Sequence, residues 1–321
     1  MQAKELLSGI VSGNRRSLSR AITLIESMKP EHRQLATQIL QDLPLKSNTM
    51  RVGICGSPGA GKSTLIEALG LNLVSKGRFP AVLAMDPSSN QFGGSILGDK
   101  TRMAELSRNE RVFVRPSPTR GVLGGVTSSC SENILLCEAG GYDTVLVETV
   151  GLGQSETTVD EVSDLVMLVT SPAGGDSLQG IKKGIMEVAD LIVINKAEPP
   201  YKERAKSAKH ELEQAIKLNI RRYNSWVPPV VMCSASKKQG IDDIIEQIDK
   251  AGTELRDQIL LKRKKQMAKN CERMLQDLLT MKLNDIRDSK DYSQIMKSLD
   301  SKQLIPRSAA IEILQLLSSK V

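Results

Sequence analysis

The chain has 321 residues, 44 Lys+Arg against 37 Asp+Glu for a net charge of +7, and only three Phe, four Tyr and one Trp. At 40% hydrophobic and 25% charged residues it has material for one large domain or two small ones, and the composition excludes wholesale disorder. The basic balance asks for an anionic partner. The scarcity of aromatics argues against single-stranded nucleic acid held by base stacking, and two histidines, His32 and His210, leave little for metal ligation.

Residues 1–47 read as helix, with Leu6-Leu7, Ile10-Val11, Leu18, Ile22 and Ile39-Leu40 recurring near the 3.6 period. From Arg51 short apolar runs alternate with helical stretches: Val52–Cys55, Ala81–Met85, Val112–Val114, Thr144–Val147, Leu165–Val169, Leu191–Ile194 and Val230–Cys233. Continuous rather than alternating apolar runs predict strands buried on both faces, hence an α/β fold with a mostly parallel sheet and helices on both sides. Helical periodicity resumes after Gly240 to near residue 286, and a final helix is expected at 308–318 after Pro306. The predicted organisation is an N-terminal helical extension (1–47), a nucleotide-binding domain (48–250) and a C-terminal helical arm (251–321). No apolar stretch approaches the ~20 residues that span a bilayer. The five cysteines, Cys55, Cys130, Cys137, Cys233 and Cys271, contain no C-x-x-C pair, so reduced thiols in a cytoplasmic protein without a membrane partner are expected.

Gly56-Ser57-Pro58-Gly59-Ala60-Gly61-Lys62-Ser63-Thr64 fits G-x-x-x-x-G-K-[ST] between the first strand and a helix. Its glycines allow backbone N–H groups to wrap a polyphosphate at a helix N-terminus. Lys62 would reach the β- and γ-phosphates, and Ser63 would ligate Mg²⁺. Asn195-Lys196-Ala197-Glu198 follows the sixth apolar run, where a carboxylate accepts from guanine N1–H and the exocyclic amine. Adenine presents a lone pair at N1 instead, so Glu198 favours GTP over ATP. Ser234-Ala235-Ser236, after the last run, is placed to lie over the base. Asp86, Asp99 and Glu148 stand at strand ends or adjoining loops, and any of the three would hold Mg²⁺ directly or through water. Glu148-x-x-Gly151 occupies the place of the Asp-x-x-Gly that senses the γ-phosphate in many GTPases. Leu152 stands where Ras-like enzymes orient water with Gln, so slow intrinsic turnover is expected unless Asp86, Asp99 or a partner completes the site. Arg102, Arg115 and Arg120 are candidate sources of transition-state charge, with a surface salt bridge the favoured role for any single one.

Several further stretches resemble the MeaB/ArgK/MMAA family of P-loop GTPases. They are Asp86-Pro87-Ser88-Ser89, Gly93–Met103, Arg115-Pro116-Ser117-Pro118, Glu148–Glu156, Leu178–Ile185 and Arg15–Glu26. The likeness runs from about residue 13 to 250. It implies a P-loop NTPase fold and a homodimeric GTPase that assists cofactor loading or protection of an adenosylcobalamin-dependent acyl-CoA mutase such as methylmalonyl-CoA mutase, dimerising through its C-terminal helices. It also implies Lys62, Asp86, Asp99 and Glu148 as catalytic residues, with Ser63 and the three carboxylates as metal-associated ones. Gly93–Met103 and Gly151–Glu156, including Gln154 and Ser155, would be switches. Two positions depart from the family pattern: Glu198 replaces its usual Asp, and Ser177 stands where members usually have Glu.

The alternative is an ATP/GTP-dependent small-molecule or protein kinase linked to amino-acid transport, an older label of the same family. The basic run Lys262-Arg263-Lys264-Lys265 is expected to be a solvated helix face rather than a nucleic-acid site. The D-x-H-x-x-G signature of cobalamin-binding domains is missing from the sequence, so any corrinoid would be held by the partner rather than bound directly.

Overall fold

The computed structural model describes residues 3–27, 29–45, 48–86, 103–118, 125–149, 159–172, 183–218 and 222–319. Each apolar run from the sequence falls on a strand: β1 (Met50–Gly56), β2 (Pro80–Asp86), β3 (Phe113–Pro118), β4 (Thr144–Thr149), β5 (Leu165–Thr170), β6 (Leu191–Ile194) and β7 (Val230–Met232), with Val112 just before β3 and Cys233 just after β7. They form one sheet in the order β3-β2-β4-β1-β5-β6-β7, and every neighbouring pair is parallel.

Both faces of the sheet are covered, which is why the strands carry no polar alternation. One face, with Leu83, Val147, Leu168 and Ile192, packs on α1 (Ala3–Val11), α2 (Arg15–Ile25), α3 (Pro30–Gln41), α6 (Gly125–Ala139), α7 (Lys183–Val188) and α8 (Lys202–Leu218). The other, with Ile54, Leu146, Met167 and Val193, packs on α4 (Lys62–Ser75), α5 (Ala104–Arg108), α9 (Ile241–Glu254) and the start of α10 (Arg256–Arg287). Neighbouring residues of a strand therefore enter different cores, as the period of two requires.

Local chemistry divides the N-terminal helical region. Gly13 takes φ +79°, and Asn14 caps α2 by accepting from the backbone N–H groups of Arg16 and Ser17 at 3.0 Å each. Pro30 opens α3, where its missing N–H costs nothing. Glu26, just after α2, binds Arg115 of β3 and accepts from Asn133 of α6 at 3.3 Å.

The chain separates into two compact units, residues 1–266 and 267–321. The second holds the later turns of α10, α11 (Lys290–Asp300) and α12 (Pro306–Ser319). Helix α11 has no counterpart in the sequence reading. Ser289 caps it, accepting from Tyr292 N at 3.2 Å. The basic run in α10 is not one solvated face. Lys264 and Lys265 are exposed, but Lys262 is buried against Asp160 and Arg263 is paired with Asp164.

Burial alone pushes the Glu132 carboxyl on α6 up to about 7 from an ordinary 4.5. A folded-state value above the unfolded one means the native protein holds the extra proton. The stabilisation is therefore full below the unfolded pKa and is lost as pH rises through about 7. Glu132→Gln should flatten the pH dependence of the urea midpoint over that window. An unchanged slope would remove Glu132 as its source.

Candidate functional site

The strand order changes direction around β1, so the crevice at the carboxyl ends of β1, β4 and β5 is where an open parallel sheet binds ligands. The Gly56–Thr64 loop leaves β1 at that crevice. Gly56, at φ +145°, is required by the sheet itself: a Cβ there would lie 1.9 Å from the Val169 carbonyl oxygen of β5. Gly61, at φ +85°, has Asn195 Nδ2 at 2.5 Å from its hypothetical Cβ. It is also the N-cap of α4 and supplies no side-chain hydrogen bond. The first N–H groups of α4 are thus left to a ligand, with the positive end of the helix dipole behind them.

Lys62 is 8% exposed, and its Nζ donates to the carbonyls of Gly56 (2.9 Å) and Ser57 (3.2 Å). Burial pulls its pKa below the ordinary lysine value, with the charges of Glu148 and Cys55 acting in the opposite direction. Ser63 Oγ donates to Glu148 Oε1 at 2.9 Å, which joins the loop to the end of β4. The hydroxyl and the carboxylate are hard oxygen donors of the kind Mg²⁺ takes, and the pair fits such an ion.

On the other side of the loop, Asn195 is a brace. Its Nδ2 donates to Ala60 O (3.0 Å) and Gly61 O (3.3 Å), and its Oδ1 accepts from Ala235 N (3.0 Å). One amide therefore fixes the phosphate loop, the end of β6 and the Ser234–Ser236 loop together. Lys196, held at φ +60°, donates to Gly59 O at 2.7 Å. Ser236 Oγ donates to Glu198 Oε1 at 3.1 Å. The hydroxyl of Ser234 does most to hold the Glu198 carboxyl below the usual range; desolvation opposes it, and the Glu198 backbone, the Ser236 hydroxyl and the charge of Lys237 add to it.

Residues 18–288 match the family described as "Methylmalonyl Co-A mutase-associated GTPase MeaB". The chain belongs to this family. It is 51% identical over 241 residues to the GTPase ArgK of Escherichia coli (strain K12), covering 75% of this chain and 73% of that one. It is 48% identical over 250 residues to the methylmalonic aciduria type A homolog, mitochondrial, of Mus musculus, covering 74% of this chain and 60% of that one. The solved structure of an LAO/AO transport system kinase superposes with a TM-score of 0.74 at 36% identity, covering 98% of this chain and 97% of that one. The protein is a GTPase of the MeaB family with the P-loop NTPase fold.

Among the residues singled out in the sequence, the structure brings Gly56–Thr64, Glu148, Asn195, Lys196, Glu198 and Ser234–Ser236 to one end of the sheet. Asp86 ends β2, but its side chain lies outside the described residues, as do Asp99, Arg102, Arg120, Gly151, Gln154, Ser155, Glu156 and Ser177. Arg115 is already engaged: it binds Glu26 and donates to Thr23 Oγ1 at 3.3 Å. Its guanidinium ties β3 to the N-terminal helices, which is the salt-bridge role weighed for it in the sequence.

Sequence reasoning missed Glu67. One turn beyond the loop on α4, its Oε1 accepts from Glu105 N (2.9 Å) and Leu106 N (3.4 Å), pinning α5 to the phosphate-loop helix. Gly70 opens the space for it, since a Cβ there would meet Leu106 Cδ1 at 2.7 Å. Nothing local marks this pair, because the partners lie 38 residues apart. Cys55, Cys130, Cys137 and Cys233 are buried and Cys271 is exposed. Burial pushes Cys130 and Cys233 up to about 12, which keeps both as thiols. Among the described residues no group of three or more His, Cys, Asp and Glu is arranged to hold a metal ion, and no helix is long and apolar enough to cross a membrane.

Proposed function

We propose that this GTPase is a nucleotide-driven switch that assists cofactor loading or protection of an adenosylcobalamin-dependent acyl-CoA mutase such as methylmalonyl-CoA mutase. The observation that carries the switch is the Ser63–Glu148 hydrogen bond. It couples the phosphate loop to the first residue of Glu148-x-x-Gly151, so a ligand that engages Ser63 also reaches the segment holding Gly151, Gln154, Ser155 and Glu156. The family description and the name of the mouse relative support the mutase as client.

In this reading the Gly56–Thr64 amides and Lys62 hold the phosphates of GTP. Ser63 and Glu148, with Asp86 and Asp99, hold Mg²⁺, which when bound neutralises charge on the β- and γ-oxygens. Glu198 accepts from the guanine edge, and Ser234-Ala235-Ser236 closes over the base. Asn195 acts through the loop it braces. The partner copy of a homodimer would cover the exposed Leu275, Leu278 and Leu279 of α10 and Ile311 and Leu314 of α12, whose exposure favours a protein contact. The corrinoid stays with the client, and the protein works in the cytoplasm without nucleic acid or membrane.

The test is turnover of GTP against ATP, with and without an adenosylcobalamin-dependent mutase. GTP preference and stimulation by the mutase are expected. Neither association nor stimulation would leave the GTPase and remove the client. The similarity to a structure named as a transport kinase favours one second reading, phosphoryl transfer to a small molecule or protein. Label moving from the γ-phosphate to an acceptor rather than to inorganic phosphate would select it.

A further inference from the structure

The turn at residues 159–163 separates the Gly151–Glu156 segment from β5, and it is gripped from two sides. Towards the sheet, Val159 and Ser163 lie over Gly53 of β1. A Cβ at Gly53 would come within 2.3 Å of Val159 Cγ1 and 2.7 Å of Ser163 Oγ. A glycine three residues before the phosphate loop is thus what lets this turn sit directly on the strand that carries the loop.

The first turns of α10 hold the same turn. Lys262 Nζ lies 2.8 Å from Asp160 Oδ1 and donates to Asp164 O at 3.0 Å. Gln266 Nε2 donates to both Asp160 O and Ser163 O at 2.8 Å each. Its Oε1 is buried without a hydrogen-bond partner among the described residues, so the side chain serves here as a double donor to backbone. From the segment before β7, Arg222 forks onto Asp160 (2.7 and 3.0 Å), donates to Val188 O at 3.1 Å, and stands 3.8 Å from Asp190. Arg263 binds both oxygens of Asp164.

The cluster balances three cations, Arg222, Lys262 and Arg263, against three carboxylates, Asp160, Asp164 and Asp190. Asp164, Asp190 and Lys262 are buried while Arg222 and Asp160 are half-buried. Such a network adds little stability over an apolar packing, but sliding a partner away from one of its buried members strands a charge. One amide holding the carbonyls of Asp160 and Ser163 together also prevents a hinge from opening between them. Lys262 and Gln266 thus tie the turn to the root of α10.

We propose that Lys262 and Gln266 are positioning residues that carry the nucleotide state of the GTPase site from the 159–163 turn into α10. The proposal rests on the reading of Gly151–Glu156 as a switch. Helix α10 continues to Arg287, and its turns from Met267 belong to the second unit. The message is thus delivered to the element that leads into that unit.

Amide hydrogen exchange on the full chain, with Mg²⁺ and either GDP or a non-hydrolysable GTP analogue, tests this. Peptides covering 148–158 and 256–266 should both differ between the two nucleotides. In Gln266→Leu, which removes the donors without stranding a charge, the difference at 256–266 should shrink at least about fivefold. The difference at 148–158 and the KM for GTP should stay at their wild-type values. Lys262→Met should act in the same direction. A wild-type 256–266 peptide indifferent to nucleotide, beside a responsive 148–158 peptide, would overturn the coupling and leave the switch. Indifference of both peptides would overturn the switch reading and the coupling with it. A full-sized difference at 256–266 in Gln266→Leu would overturn the assignment of these side chains.

Discussion

In Lys62→Ala, GTP turnover should fall at least about 10²–10³-fold, the loss typical of removing one preorganised donor from developing charge. The side chain sits at 8% exposure, folded back on the carbonyls of Gly56 and Ser57. Burial lowers its pKa, and the Glu148 carboxylate, the larger of the two opposing influences, does not make up the difference. An ammonium kept in such a place is under-compensated by protein charge, and in the proposed reading the β- and γ-phosphates of GTP would be the anions that complete it. In phosphoryl transfer charge spreads over the equatorial oxygens of the γ-group, so a fixed cation gains most where the barrier is highest. The same substitution removes a costly buried charge, so the melting temperature should not fall. Single-turnover hydrolysis of GTP beside a thermal melt checks both statements. Turnover within tenfold of wild type would sink the role given to Lys62.

The sheet was legible because its strands are short, continuous and apolar, and nothing but burial on two faces explains such runs. The phosphate loop was legible because all of its chemistry lies within nine consecutive residues. Strand order was not, since it is set by pairings such as Ile54 with Glu148 and Val52 with Leu165 that no local pattern encodes. Helix α11 escaped although Tyr292, Ile295, Met296 and Leu299 fall at i, i+3, i+4 and i+7 and Ser289 followed by Asp291 is a start signal, so both local marks of a helix are present. The basic run of α10 misled in a different way. Four cations in a row read as a solvated face, and the carboxylate that binds Arg263 lies 99 residues away. Asn195 shows the same limit within the site. Its position after β6 points to nucleotide contact, but no local pattern encodes that its amide also braces the backbones of Ala60 and Gly61, 135 and 134 residues earlier.

Asp164→Ala should cost about 3–5 kcal/mol, the usual penalty for breaking a buried ion pair from one side. The Asp164 side chain is fully buried and that of Arg263 is 12% exposed, so solvent screening relieves little of it. Oδ1 accepts from Arg263 Nε at 2.7 Å, and Oδ2 accepts from Arg263 Nη2 at 2.6 Å and from the backbone N–H of Arg51 at 2.8 Å. Burial works against the charge on Arg263, yet the hydrogen bonds and charge of Asp164, with Glu138 beyond it, more than offset this and raise its pKa. Truncation takes the carboxylate from a guanidinium that keeps neutral acceptors such as the Thr49 carbonyl close by, and leaves an Arg51 amide without its acceptor at the start of the central strand. For a unit of this size that loss corresponds to a melting temperature lower by about 6–20 °C. Removing the stranded charge as well, in Asp164→Ala with Arg263→Met, should recover part of the loss, because an apolar pair replaces an ionic one more cheaply than half of it does. Denaturant unfolding of the two variants measures both effects. A single-variant loss below about 1 kcal/mol would put Asp164 among the exposed pairs, which contribute that little, and would contradict its burial. Because the carboxylate sits at the amino end of β5 and the phosphate loop leaves the carboxyl end of β1, the surviving native fraction should still bind GTP, which separates this stability loss from the chemical loss in Lys62→Ala.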